Sequence, residues 1–253
     1  MKIMAKSDRE AKRHMRRFRG FTALVIILVI VGAVIYGLKS PHFDVTAYEV
    51  EGNTYYTDEE IINMGDCSTG VNIFTGFKPS DIKNQLLKDP YMEKIRISRK
   101  LPSTVVIRVT ERKQTAAVVY GERFVVIDDE GTVLRMTSVD PKVTIIRGLS
   151  IRKMTLGEPL EVEETVLYRQ SMEIIYAMLA NDMYFRAIDI TDAGCSAYVL
   201  DNLVVKGLAE NIVDALKNKD IQLVVQNLFS QGIERGTIKV TGENYVSFDP
   251  AIE

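Results

Sequence analysis

The stretch IRISRKLPSTVVIRVTER, residues 95–112, decides the fold of the first half of the chain. Polar and apolar residues alternate over 94–98 and again over 104–110, which places Val105, Ile107 and Val109 on one side. Alternation with a period of two indicates strands that bury one face. Residues 100–103, Lys-Leu-Pro-Ser, supply the turn, so the stretch predicts two consecutive strands.

The residues before this stretch predict one more strand and two short helices. Residues 43–53 resemble a strand that ends at a Gly-Asn turn, and 57–60, Thr-Asp-Glu-Glu, fit a capping box that opens a helix through Met64. A second helix starts at Pro79 and stops at Asp89-Pro90. Its predicted buried face consists of Ile82, Leu86 and Leu87. The order is therefore β-α-α-β-β.

The N-terminal region predicts a membrane anchor. Residues 21–38, FTALVIILVIVGAVIYGL, carry no charge, and residues 1–20 carry eight Lys/Arg against two acids. A helix of this length reaches about 27 Å, close to the bilayer hydrocarbon thickness. A buried core helix and a cleaved signal peptide are the alternatives, but the segment has no amphipathic face and no Ala-x-Ala site. We expect a cytoplasmic tail at 1–20 and a single transmembrane helix at 21–38, since basic residues resist translocation.

Charge and cysteine usage limit the classes of partner. The chain after residue 20 carries 24 Lys/Arg against 32 Asp/Glu, an excess that argues against nucleic acid as the main partner of the ectodomain. The basic tail is also compatible with nucleic-acid binding, although retention of topology is the commoner role of such a run. Cys67 and Cys195 are far apart and favour two free thiols over a disulfide framework.

Residues 113–253 predict a second domain, mixed α/β with a largely antiparallel sheet. Strands are predicted at 115–120, 123–127, 132–136, 143–147, 187–190, 196–200, 203–206, 237–240 and 245–248. A helix is predicted at 162–181, with Val162, Val166, Ile174 and Met178 in its buried stripe. Another is predicted at 211–229, through Ile212, Leu216, Leu223 and Leu228. The fold class is α+β, with a first domain at 43–112 and the second at 113–253.

The sequence offers little for catalysis. The two histidines, His14 and His42, lie in the predicted tail and just beyond the predicted span, so no folded domain supplies a base for a Ser or Cys nucleophile. A catalytic role for Cys195 stays open, as do the adjacent carboxylates of 128–130 for glycan cleavage, although turn chemistry is the simpler explanation of the latter. We predict no catalytic, cofactor or metal site.

Several of these segments together resemble one family. They are Val-Glu-Gly-Asn at 50–53, the helix opening at Thr57, Pro-Tyr at 90–91, Ile-Arg-Ile at 95–97, Arg-Lys-Leu-Pro at 99–102 and Val-Thr-Glu-Arg at 109–112. In this order they resemble the POTRA module of the FtsQ/DivIB cell-division proteins. Residues 123–134 are similar to the start of that family's second, β domain.

The resemblance implies a function. FtsQ/DivIB proteins are non-enzymatic scaffolds of the bacterial divisome, enriched at the septum, that bind the single-span proteins FtsL and FtsB/DivIC. Through them they help regulate septal peptidoglycan synthesis by FtsW and FtsI. The alternatives are a membrane-anchored POTRA-containing ectodomain of a secretion or signalling complex, and a cell-wall hydrolase.

The resemblance also implies a partner site at the end of the β domain, where an FtsB-type partner adds a strand. The matching residues are Thr237, Ile238, Lys239, Val240, Tyr245, Val246, Ser247 and Phe248. A last strand can lie at a sheet edge with unpaired backbone groups. The alternative is that Tyr245 and Phe248 both pack into the core. The sequence leaves open which face of the last strand is outward. Ser247→Pro therefore tests the backbone, since proline should be tolerated there only if the strand lies at an edge.

Overall fold

The computed structural model describes residues 21–22, 24–242 and 245–250. The described residues divide into two compact units. The first contains the residues up to Leu86 together with Ile95–Val109, and the second contains Leu87–Lys94 together with the residues from Thr110. The predicted domain bounds, 43–112 and 113–253, stay predictions.

The predicted membrane-spanning helix at 21–38 is wrong. Residues 21–22 and 24–38 are helical, but across the described ranges no helix is both long and apolar enough to cross a membrane. The predicted tail, residues 1–20, lies outside the described residues.

The first unit has the predicted β-α-α-β-β order. Its elements are β1 (Ala47–Glu51), α1 (Asp58–Met64), α2 (Pro79–Leu86), and all but the outer ends of β2 (Met92–Lys100) and β3 (Thr104–Glu111). The sheet order is β1-β3-β2, and β1 runs parallel to β3 with Val50 opposite Ile107. Val105, Ile107 and Val109 are buried as the alternation predicts, and so are Ile82 and Leu86 of α2. Leu87 is 41 % exposed, because α2 ends at Leu86 and the helical face does not continue.

The second unit is built on a nine-stranded sheet. Its strands are β4 (Ala116–Tyr120), β5 (Arg123–Ile127), β6 (Val133–Thr137), β7 (Thr144–Arg147), β10 (Ala187–Thr191), β11 (Gly194–Leu200), β12 (Leu203–Gly207), β13 (Gly236–Val240) and β14 (Val246–Pro250). Their order is β14-β13-β12-β11-β10-β7-β4-β5-β6. Most neighbours are antiparallel, while β12/β13, β10/β7 and β4/β7 are parallel. Two short strands, β8 (Ile151–Lys153) and β9 (Glu161–Val162), form a separate pair that the sequence did not predict.

Three helices complete the second unit: α3 (Thr165–Ala180), α4 (Ala209–Lys217) and α5 (Asp220–Ser230). The single helix predicted over 211–229 is wrong. Lys219 adopts a left-handed conformation with φ 65°, which ends one helix and restarts another. The restart turns Ile221, Val225 and Leu228 into the core and leaves Leu223 63 % exposed. The prediction that Val166 belongs to the buried stripe of α3 is also wrong, since Val166 lies in the first turn and is 56 % exposed.

Candidate functional site

The last strand of the second unit lies at one end of the nine-stranded sheet. Within the described residues β14 has one neighbour, β13, to which it is antiparallel, whereas β13 lies between β12 and β14. Lys239 is opposite Ser247, and Ile238 is opposite Phe248. The backbone of β13 is therefore occupied on both sides, and β14 is the strand with an open side.

The hydrogen-bond pattern shows which backbone groups of β14 face outward. The Thr241 amide donates to the carbonyl oxygen of Tyr245 across 3.0 Å, so 241 and 245 form a hydrogen-bonded pair. In an antiparallel ladder such pairs alternate with non-bonded pairs, so Ser247 and Asp249 also direct their backbone groups to β13. The N–H and C=O groups of Val246 and Phe248 then point away from the sheet.

Pro250 is also a residue whose backbone nitrogen points away from β13. It is opposite Gly236 and lies two residues beyond Phe248, where β13 needs no donor. Proline in a sheet is confined to edges, to strand ends or to bulges because it has no N–H to donate. Pro250 is therefore compatible with an edge position of β14.

The side chains of β14 divide between the two faces of the sheet. Val246 and Phe248 are half-buried against the core that the helices cover, while Lys239 and Asp249 form an exposed ion pair. The Phe248 ring lies directly over Gly236, where an added Cβ would approach the ring to 2.5 Å. The glycine therefore provides the space for Phe248, which holds the edge strand to the core.

The eight residues predicted for partner binding are thus separated by the fold. Thr237, Ile238, Lys239 and Val240 lie in β13, where their backbone is already paired and Ile238 and Val240 are buried. Val246, Ser247 and Phe248 lie in the edge strand, and Tyr245 precedes it with 64 % of its surface exposed. Only Phe248 of the two aromatics packs toward the core. Sequence reasoning missed Asp249 and Pro250, although the proline was a signal for an edge.

The cysteine candidate for catalysis has an unfavourable environment. Cys195 is a free thiol in the core, and burial, with Asp189 as a lesser cause, raises its pKa to about 12. A nucleophilic cysteine requires the thiolate, which such a pKa suppresses near neutrality. Cys67 is also free, and burial raises its pKa to about 11.

The carboxylate candidates of 128–130 form a turn, as predicted from their composition. Asp128 Oδ1 accepts the amide hydrogens of Glu130 and Thr132 at 3.0 and 2.7 Å, and Arg112 holds the other oxygen at 2.6 Å. In the part of the chain that the structure describes, no group of His, Cys, Asp and Glu is arranged to hold a metal ion. The open edge of β14 is the candidate functional site.

Known proteins match both units. Residues 43–112 match the model of the POTRA domain, FtsQ-type. The cell division protein DivIB of Clostridium acetobutylicum is 25 % identical over 202 residues, 77 % of this chain and 79 % of that protein. DivIB of Clostridium tetani is 24 % identical over 235 residues, 91 % and 88 % of the two chains. DivIB of Clostridium botulinum strain Hall is 27 % identical over 183 residues, 71 % of each.

The fold and these matches first define a class, a POTRA-containing protein in which a mixed α/β domain follows the POTRA domain. Residues 43–112 thus form an FtsQ-type POTRA domain, and over most of its length the chain is similar to the cell division protein DivIB.

Proposed function

We propose that the chain is a non-enzymatic scaffold of the bacterial divisome that binds FtsL-like and FtsB/DivIC-like proteins. Through these partners it helps to regulate septal peptidoglycan synthesis by FtsW/FtsI-type synthases. The proposal includes enrichment at the division septum. Its support is the FtsQ-type POTRA match and the similarity to DivIB proteins, together with a sheet edge suited to strand addition.

The open side of β14 is the observation that carries the partner proposal. The outward N–H and C=O groups of Val246 and Phe248 have the spacing that an added strand needs, and strand addition obtains affinity from such main-chain bonds. Tyr245 stands exposed at the start of this edge, and tyrosine is enriched among residues that dominate binding energy. The FtsB/DivIC-type partner would add its strand here.

Because the N–H of Val246 points outward and that of Ser247 faces β13, proline at 246 and not at 247 tests strand addition. Val246→Pro removes an outward donor at the first residue of an edge strand, a position where proline is tolerated. Val246→Ala is the matched control, because it shortens the same half-buried side chain and keeps the N–H. Ser247→Pro removes a donor that faces Lys239, so it should destabilise β14 itself.

The measurement is the affinity of the full chain for the purified FtsB/DivIC-type protein. We expect Val246→Pro to fold and to bind at least about tenfold more weakly than Val246→Ala, a difference of about 1.4 kcal/mol. Equal affinities of the two folded variants would exclude strand addition at β14. For septal enrichment, a fluorescent fusion should concentrate at mid-cell in dividing cells, and a uniform distribution would contradict the proposal.

A further inference from the structure

The N-terminal helix ends in a carbonyl that a distant side chain satisfies. Leu38 is the last helical residue, and the following amides use other carbonyls: Lys39 donates to Ile35 at 3.2 Å and Ser40 to Gly37 at 3.0 Å. The last carbonyls of any helix lack partners within the helix. The Leu38 carbonyl instead accepts Nδ2–H of Asn72 across 3.0 Å, between residues 34 positions apart.

The other end of the same amide organises the loop that carries it. Asn72 Oδ1 accepts the Phe74 amide, the Thr75 amide and the Thr75 hydroxyl, each at 3.1 Å. Three donors require the oxygen on that side, and the Leu38 carbonyl requires a donor on the other. The orientation of the amide is therefore fixed by its partners.

The loop is itself held firmly in the first unit. The carbonyl of Asn72 accepts the amides of Gly76 and Phe77 at 2.9 Å, and Arg99 Nε donates to the Ile73 carbonyl at 2.7 Å. The Arg99 guanidinium also lies over the Phe77 ring, 5.6 Å from its centroid, and Ile73 is fully buried. Asn72 thus projects from a well-ordered base and not from a free loop.

The segment after the helix is fastened to the same loop. The Ile73 amide donates to the Phe43 carbonyl at 2.8 Å, the Val45 amide to the Val71 carbonyl at 2.9 Å, and the rings of Phe43 and Phe74 meet edge to face at 5.3 Å. These contacts begin at residue 43. Residues 41–43 form a 3-10 turn, in which the Phe43 amide donates to the Ser40 carbonyl at 3.0 Å and the Asp44 amide to the Pro41 carbonyl at 3.1 Å. Lys39 and Ser40 therefore connect the helix to this turn, and the Asn72 bond to Leu38 constrains the direction of that connection.

We propose that Asn72 is a two-sided clasp that fixes the direction in which the N-terminal helix meets the first unit. Its oxygen belongs to the loop, and its nitrogen belongs to the helix end. Loss of the nitrogen alone releases the helix to pivot about Lys39 and Ser40, while the 3-10 turn at 41–43, the loop and the sheet stay intact. The clasp is independent of the partner site at β14.

Asn72→Asp separates the two halves of the clasp. Aspartate keeps an oxygen for the 74–75 amides and places a second acceptor against the Leu38 carbonyl, where no hydrogen bond can form. Thr75→Val is the matched control, since it removes a loop hydrogen bond to Oδ1 and leaves the Asn72–Leu38 bond in place. Spin labels on non-natural amino acids at the exposed positions 31 and 83 report the helix-to-α2 distance and leave both cysteines unchanged.

Pulsed electron–electron double resonance between labels at 31 and 83 of the full chain should give one narrow distance distribution for the wild type and for Thr75→Val. Asn72→Asp should lose that narrow peak and broaden. A distribution for Asn72→Asp as narrow as that of the wild type would overturn the clasp. If Asn72→Asp does not fold, hydrogen exchange of the Asn72 side-chain amide in the wild type decides: protection supports the clasp, and exchange as fast as in an exposed asparagine overturns it.

Discussion

Arg112 Nη1 lies 2.6 Å from Oδ2 of Asp128, a carboxylate of which only 1 % is exposed. The arginine follows β3, and the aspartate opens the turn between β5 and β6. The second oxygen of Asp128 closes that turn on the Glu130 and Thr132 amides, and Arg112 also reaches the Thr132 hydroxyl at 3.2 Å. One buried charge therefore ties the residue after β3 to the β5–β6 hairpin.

Removal of Arg112 should lower the free energy of unfolding because it leaves a buried carboxylate without its cation. Arg112→Met leaves the Asp128 carboxylate without its cation, and we expect the free energy of unfolding to fall by about 3–5 kcal/mol. Arg186→Met is the control, because Arg186 and Asp201 form an exposed pair whose loss should cost under about 1 kcal/mol. Urea denaturation of the full chain measures both. Equal losses would show that burial of Asp128 does not set the cost.

The capping box of α1 predicts a specific pH dependence. The pKa of Glu60 is lowered from 4.5, chiefly by the Thr57 amide and then by the Thr57 hydroxyl, both of which bind the ionised carboxylate. Because the folded pKa is the lower one, the stabilisation is complete above about 4.5 and is lost as pH falls through the folded pKa. Thr57→Ala should raise the pKa of Glu60 part of the way back.

An NMR titration of Glu60 measures this pKa directly. Thr57→Ser keeps the hydroxyl and should leave the pKa of Glu60 at its wild-type position. A Glu60 pKa that is the same in Thr57→Ala as in Thr57→Ser would assign the whole shift to the backbone amide.

The end of α2 allows a sharp test of the core of the first unit. Leu86 is fully buried and Leu87, its neighbour in sequence, is 41 % exposed. Leu86→Ala should cost about 2–5 kcal/mol through lost burial and the cavity left behind. Leu87→Ala should change the free energy of unfolding by no more than about 0.5 kcal/mol. Denaturant midpoints of the full chain compare them, and a reversed ranking would mean that the face of α2 is misassigned.

Gly236 should determine how stably β14 is paired to β13. In Gly236→Ala the new Cβ would lie 2.5 Å from the Phe248 ring, which must then leave its site. We expect faster hydrogen exchange at the Ser247 and Asp249 amides, the two donors that face β13. Gly232→Ala is the control, since Gly232 also has a positive φ, 73°, but nothing within 4 Å of an added Cβ. Unchanged exchange in Gly236→Ala would show that Phe248 does not secure β14.

Local pattern was most informative where neighbours in sequence are also neighbours in the fold. The capping box at Thr57 and the turn at 128–130 depend on side chains a few residues apart, and both are present. Pattern failed at Lys219 because apolar spacing on both sides fits one continuous helix. The break depends on a single left-handed residue, and apolar periodicity carries no signal for it.

The sequence by itself determined the β-α-α-β-β order, the alternating strands of the second unit and the family resemblance, because each of these is written in local periodicity and in short motifs. Only the tertiary structure decided that β13 is enclosed and β14 open, that Val246 rather than Ser247 directs its N–H outward, and that Asn72 reaches the Leu38 carbonyl. Strand order and hydrogen-bond parity depend on which distant segments pair. Pairing follows from the packing of whole elements, which no local pattern records.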